Sequence, residues 1–220
     1  MNVLALDGAL GEFSAAVSSG GSIAGARAQS GGVALERGLT IVDDLLRQTG
    51  IAPQQIDRLA VGVGPGGFTG LRIAIAYAKS LAAVWKRPLV PIDSFDLLEY
   101  GARFERVLAV VVGRPGVVSA RFRVRDASRR ASGTTRQVLE ALSPLDAEAG
   151  AQAPLAVIGA PKDVLDALGE RGLLVRAFDP AVTPAAAAAA LAASSLAPAS
   201  SPHAVRADYG ELPAAKPPRF

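Results

Sequence analysis

The stretch from Val61 to Arg72 (Val-Gly-Val-Gly-Pro-Gly-Gly-Phe-Thr-Gly-Leu-Arg) constrains this chain more than any other. An apolar run, Leu59 to Val63, stops at a cluster of glycines and Pro65, and a helical pattern then runs from about Thr69 to Trp85. A strand, a glycine turn and a helix start bring free backbone N–H groups to one point, where an anion or a close-approaching backbone can take them. Gly62-Val63-Gly64-Pro65-Gly66-Gly67 has the spacing of a dinucleotide-binding turn, and Asp93 closes the following strand. Yet this strand is not the first in the chain, and Pro65 stiffens the turn where a dinucleotide needs close approach. The turn therefore reads two ways. It is a phosphate cradle with Gly64, Gly66 and Gly67 as candidates, or a tight strand-to-helix turn whose glycines permit close packing.

The helix behind the turn has almost no polar face. Leu71, Ile73, Ile75, Tyr77, Leu81, Val84 and Trp85 surround its axis, and only Arg72 and Lys79 carry charge before Lys86. A helix apolar nearly all round is covered on more than one side. A sheet supplies one cover; a second helix or a partner chain must supply the other.

The chain opens on Val3 to Asp7, a buried-strand pattern, and continues with strands at Phe13 to Ser19 and Ser22 to Ala28 about a Gly20-Gly21 hairpin. This antiparallel start differs from the parallel start of a dinucleotide-binding domain. Asp7-Gly8 at the first strand end is a candidate phosphate or metal position, or merely an acid opening a turn. From Ala34 to Thr49 the apolar positions Leu35, Leu39, Val42 and Leu46 recur at helical spacing, and Gly50 sits where a helix ends. Leu89 to Ile92 read as a strand, and Ser94 can cap a helix to about Arg103.

The pattern then restarts. Strands are expected at Val107 to Val112, Val117 to Val124, Thr134 to Leu139, Leu155 to Ile158 and Leu173 to Ala177, and helices at Lys162 to Leu168 and Pro184 to Leu196. The alanine run Ala185–Ala190 suits a close-packed helix. The chain is thus read as two similar α/β lobes, residues 1–100 and 101–198, followed by a mobile Pro/Ser-rich tail, residues 199–220.

Several chemistries lack parts. With no cysteine there are no thiolate sites, and the single histidine, His203, lies in the tail, so no His pair can hold zinc or iron. A net charge of +3 over 220 residues is only mildly basic, and no Lys/Arg run has the length of a nucleic-acid patch. No apolar run spans a bilayer, and a cytoplasmic location is the expectation.

Gly64 to Ile73, continuing through Ala78-Lys79-Ser80-Leu81-Ala82, closely resembles the signature of the TsaB (YeaZ) family. Leu4 to Asp7, Glu36 to Leu39 and Val42 to Leu46 add to the likeness, which covers the first 95 residues or so well and the rest in outline. Gly67 stands where the family usually has Ser, Ala34-Leu35 where it often has His-Ser, and Tyr209-Gly210-Glu211 where it ends Tyr-Leu-Arg. The resemblance implies a two-lobe ASKHA fold, actin-like and sugar-kinase-like. It also implies a non-catalytic subunit that binds TsaD, within a complex including the ATPase TsaE, and supports formation of N6-threonylcarbamoyladenosine at adenosine 37 of tRNA. Metal is then TsaD's, tRNA is met only through the complex, and self-pairing into a homodimer is an alternative. No cofactor is expected on this chain, with ATP or ADP at the complex interface left open. The implied pairing surface lies on the first-lobe helices, with Leu35, Leu39, Val42, Leu46, Arg72, Ile73, Ala76, Tyr77 and Ser80 as candidates. An acid at Leu39 or Tyr77 is expected to weaken pairing more than folding. The competing reading, an ATP-using phosphotransferase, would use Asp7, Gly8, Gly64, Gly66 and Gly67.

Overall fold

The computed structural model describes residues 1–29, 37–148, 154–194 and 196–210; Leu35 lies outside them. Strands β1 (Asn2–Asp7), β2 (Phe13–Ser19) and β3 (Ser22–Gln29) form an antiparallel meander whose second turn is the Gly20-Gly21 pair, both at positive φ. Helix α1 (Gly38–Thr49), strand β4 (Arg58–Gly62), helix α2 (Phe68–Trp85) and strand β5 (Leu89–Ile92) follow. β4 and β5 add in parallel, giving the order β3-β2-β1-β4-β5. A short helix, α3 (Ser94–Leu98), closes this half.

The second half repeats the first element for element. Its strands β6 (Arg106–Arg114), β7 (Val117–Val124) and β8 (Ala127–Gly133) form a meander, followed by α4 (Thr135–Glu148), β9 (Leu155–Ile158), α5 (Lys162–Glu170) and β10 (Val175–Phe178). The order is β10-β9-β6-β7-β8, the first sheet's order written from the other edge. A last helix, α6 (Pro184–Ser194), corresponds to α3.

The two terminal helices are exchanged. α3 packs Phe95 and Leu98 against Val107, Ala109 and Ile158 of the second sheet. α6, although late in the chain, covers the back of the first sheet, against Val3, Ala5, Ala16, Ala60 and Val90. Ala185 to Ala189 are all buried there, so the alanine run is a close helix-on-sheet contact in which larger side chains would not fit. Ser14 Oγ accepts the Ala185 N–H, and Arg58 caps the far end by donating to the carbonyls of Ala192 and Leu196.

The front of the first sheet carries α1 and α2. Leu4, Leu6, Leu59 and Val61 meet Ile41, Val42, Leu45, Leu46, Leu71, Ala74, Ile75 and Ala78. Each large side chain buried here contributes about 1.5–3 kcal/mol. α1 ends at Gly50, left-handed at φ 68°, as its position in the sequence indicated.

Three expectations are corrected. Residues 135–139 are helical: Thr134 and Gln137 hold each other's backbone N–H groups in a capping box, and Val138, Leu139 and Leu142 share the buried face of α4. α3 is short, stopping at Leu98 with Gly101 at positive φ beyond it, and its cap is Asp93, which accepts the Phe95 N–H at 2.8 Å. The tail is not loose as far as residue 210. The Ala199 N–H donates to Leu89 O, Val205 is buried in the first core, and the Asp208 N–H donates to Val63 O at 2.7 Å.

Candidate functional site

At the glycine turn the space a phosphate would need is filled by the chain itself. The Gly67 N–H, at the start of α2, donates to Ala9 O at 2.8 Å. Gly8 and Gly70 lie back to back, so that a Cβ on either would overlap the other's carbonyl, and a Cβ on Gly66 would overlap Ala9 O. Gly64, at φ 103°, has the carbonyl of Asp208 against it. The glycines thus let the β1–β2 turn, α2 and the C-terminal segment approach at backbone distance.

Asp7 is fully buried. Its Oδ1 accepts the N–H groups of Ala9 at 3.2 Å and Leu10 at 3.1 Å, while Oδ2 faces Gly62 with no hydrogen-bond partner. Burial pushes its carboxyl from 3.8 up to about 6, against the opposing pull of those two N–H groups. Among the described residues no group of three or more His, Cys, Asp or Glu is placed to hold a metal ion.

The helix-pair candidates divide by burial. Val42 and Leu46, taken from the sequence as pairing positions, are 3% and 6% exposed and belong to the chain's own core, so they present no surface. Apolar periodicity marks a covered stripe without saying what covers it; here it is the sheet. Leu39 is 48% exposed. On α2, Arg72, Ala76 and Ser80 are exposed, and Ile73 and Tyr77 half-buried, on one side of the helix. Tyr77 also lies edge-on to Phe13, at 6.1 Å between ring centroids, and its ring crosses Gly38 closely enough to exclude a Cβ there. At the ends of α2, Phe68 and Val84 are exposed too. Phe68 stacks with Tyr209 at 5.2 Å, and the Arg72 guanidinium lies over the Phe68 ring.

A charged cluster that sequence reasoning missed joins the two halves. Glu99, just past α3, accepts Arg121 Nε at 2.9 Å and Arg123 Nε at 2.8 Å; Arg121 also reaches Asp96, and Arg130 reaches Asp93. Phe95 carries the guanidiniums of Arg121 and Arg130 over its ring. Burial works to lower the Arg121 pKa, but the hydrogen bonds and charges of Glu99 and Asp96 more than offset it and hold the group above its usual range. Burial likewise raises the Asp93 pKa, with the Phe95 N–H and Arg130 opposing. An adjoining cavity of about 410 Å³ is lined by Glu99, Tyr100, Arg121 and Leu191. Its charged groups already neutralise one another.

The duplicated, mixed five-stranded sheets and their exchanged helices define a two-lobe ASKHA architecture, actin-like and sugar-kinase-like. A solved structure from Pseudomonas aeruginosa, described as an uncharacterized protein with similarity to peptidase YEAZ, matches 96% of this chain and 99% of its own at TM-score 0.73 and 25% identity. Component A of (R)-2-hydroxyglutaryl-CoA dehydratase from Acidaminococcus fermentans shares the fold at TM-score 0.52 and 10% identity, over 87% of this chain and 97% of its own. In sequence, the family model described as "TsaD: tRNA N6-adenosine threonylcarbamoyltransferase" matches residues 34–156. The tRNA threonylcarbamoyladenosine biosynthesis protein TsaB of Haemophilus influenzae is 32% identical over 112 residues, 49% of this chain. The chain belongs to the TsaD family so described and, within it, to the TsaB (YeaZ) group. The matched stretch spans about half of that curated relative, 48% of its length.

Proposed function

We propose that the chain serves tRNA threonylcarbamoyladenosine biosynthesis as a non-catalytic subunit that docks on a TsaD protein. The observation that supports this best is the outer side of α2. Ile73, Ala76, Tyr77 and Ser80 stay in part open to solvent in the folded chain, with exposed Leu39 beside them on α1. The small residues Ala76 and Ser80 let another helix approach closely. The family model that matches this chain is TsaD's own, so a TsaD partner can offer an equivalent helix pair. The filled glycine turn and the absence of a histidine pair fit a supporting role rather than phosphoryl or metal chemistry. TsaE enters through the same assembly, tRNA is handled by the complex, and a homodimer through α2 competes with the TsaD contact.

The test is to mix the purified chain with its cognate TsaD and measure mass by light scattering. A one-to-one complex is expected, lost in Ala76→Glu and Leu39→Asp with the thermal midpoint of the isolated chain kept. No complex at micromolar concentrations would overturn the reading. ATP hydrolysis by the isolated chain is expected to stay at the buffer rate; turnover that Asp7→Asn abolishes would restore the phosphotransferase alternative.

A further inference from the structure

We propose that a groove at the β10 edge of the second sheet is a nucleotide-binding site, taking an aromatic base and its phosphate. The groove holds about 290 Å³ and is walled by Phe104 and Phe178, with Ala156 at its floor and Arg103 and Arg176 on its rim. The two phenylalanine rings stack at 4.5 Å between centroids with their planes 33° apart, and Phe178 remains 36% exposed. Arg103 and Arg176 are both exposed, and among the described residues neither guanidinium makes an ion pair or a hydrogen bond.

The contrast with the second sheet's β7 and β8 arginines is informative. Arg121, Arg123 and Arg130 are each held by an acid. Two unheld guanidiniums beside an open aromatic wall combine the two parts a nucleotide needs. Rings give a base a stacking surface, and planar forked donors match phosphate oxygens. Glu105 is the one acid in the lining, and it too is exposed, so the rim is net positive. The volume lies at the small end of ligand cavities, roughly 300 Å³ and upward, which suits one nucleotide unit rather than a larger cofactor. β10 is the last strand of its sheet, so the groove is open along the edge. A nucleotide within a strand of RNA can enter along that edge as well as a free one.

This site is separate from the α2 face and stands or falls on its own. The probe is a short fluorescein-labelled single-stranded RNA of mixed sequence, titrated with the isolated chain at low salt and followed by anisotropy. The double variant Arg103→Ala/Arg176→Ala should weaken binding and make the log–log salt slope shallower by about 1.4, the share of two single-strand phosphates. Phe178→Ala should weaken it by between about fivefold and about 150-fold, the loss of one base stack, while Phe178→Tyr keeps it. Excess adenosine monophosphate divides the two sources. Competition means that a free nucleotide fills the groove, and its failure beside intact RNA binding means that a strand is required. No binding at the lowest salt, or affinities unchanged in both variants, would overturn the proposal. So would displacement of the RNA by inorganic phosphate as readily as by adenosine monophosphate. Arg103 and Arg176 are surface residues, so the double variant tests the site even where Phe178→Ala is poorly folded.

Discussion

Glu99 is the place where one substitution should disturb both halves of the molecule. Its side chain is only 7% exposed, yet it carries two charge-assisted bonds, to Arg121 and Arg123, whose side chains are 11% and 26% exposed. Glu99→Ala leaves both guanidiniums in place and removes their shared counter-charge. Breaking a buried pair by deleting one partner costs about 3–5 kcal/mol, because the remaining charge stays desolvated. Two features pull the value toward the lower end. Arg121 keeps Asp96 at 2.6 Å, and the exposed quarter of Arg123 stays hydrated. A loss of about 3 kcal/mol is therefore expected, a fall in thermal midpoint of about 6–12 °C for a chain of this size. Urea unfolding of wild type and variant, with the slope checked for constancy, measures it. Glu140→Ala is the control. It breaks the Arg136 pair, whose side chains are 86% and 56% exposed, and should leave the midpoint where it was. A Glu99→Ala cost below about 1 kcal/mol would refute the reasoning, since the two arginines would then have found solvent or another partner at little expense.

Three further outcomes can be checked. Asp7 is held neutral to a higher pH in the fold than in the unfolded chain, 3.8 there against about 6 when folded. Between those values the folded state binds the extra proton, so the Asp7 contribution to stability declines as pH rises through this window and is flat above it. Asp7→Asn should remove that slope, about 3 kcal/mol across the window by urea unfolding, and an unaltered slope would assign it to other groups. Gly70→Ala places a methyl on the Gly8 carbonyl and should cost several kcal/mol or prevent folding, against the usual gain of up to about 1 kcal/mol for Gly→Ala inside a helix; far-UV circular dichroism and a melting curve decide. Leu39→Asp and Tyr77→Asp should part company. The first keeps its melting temperature and loses TsaD, whereas the second unfolds, because the Tyr77 ring also packs on Phe13 and Gly38.

The glycine turn, the helix behind it and the strands of the first half were legible because their signals are local. Runs of Val and Leu meet Gly or Pro within a few residues, and the duplicated order follows from repeating that pattern. The exposed strand β8 left no such mark, since Ala-Ser-Arg-Arg-Ala-Ser-Gly lacks an apolar face. Residues 134–139 misled because two threonines and a valine resemble a strand, while the Thr134–Gln137 capping signature went unread. The Glu99 cluster was beyond reach for a different reason: its partners lie 22 and 24 residues away and meet only once the lobes pack. Val42 and Leu46 show the same limit from the apolar side. A stripe announces that it will be covered, and only the fold names the cover.

The exchange of α3 and α6 has a consequence for how the protein is made. A ribosome releases the first sheet early, but the layer that seals its back arrives with Ala185–Ala192, and Val205 completes its front later still. The second sheet has all its strands once Phe178 has emerged, and α3 is already waiting for it. The lobe synthesised first is therefore the lobe completed last. Until then Val3, Ala5 and Val90 stay open to water, and a chain cut short after its first lobe is left with an unsealed apolar sheet that other chains can join.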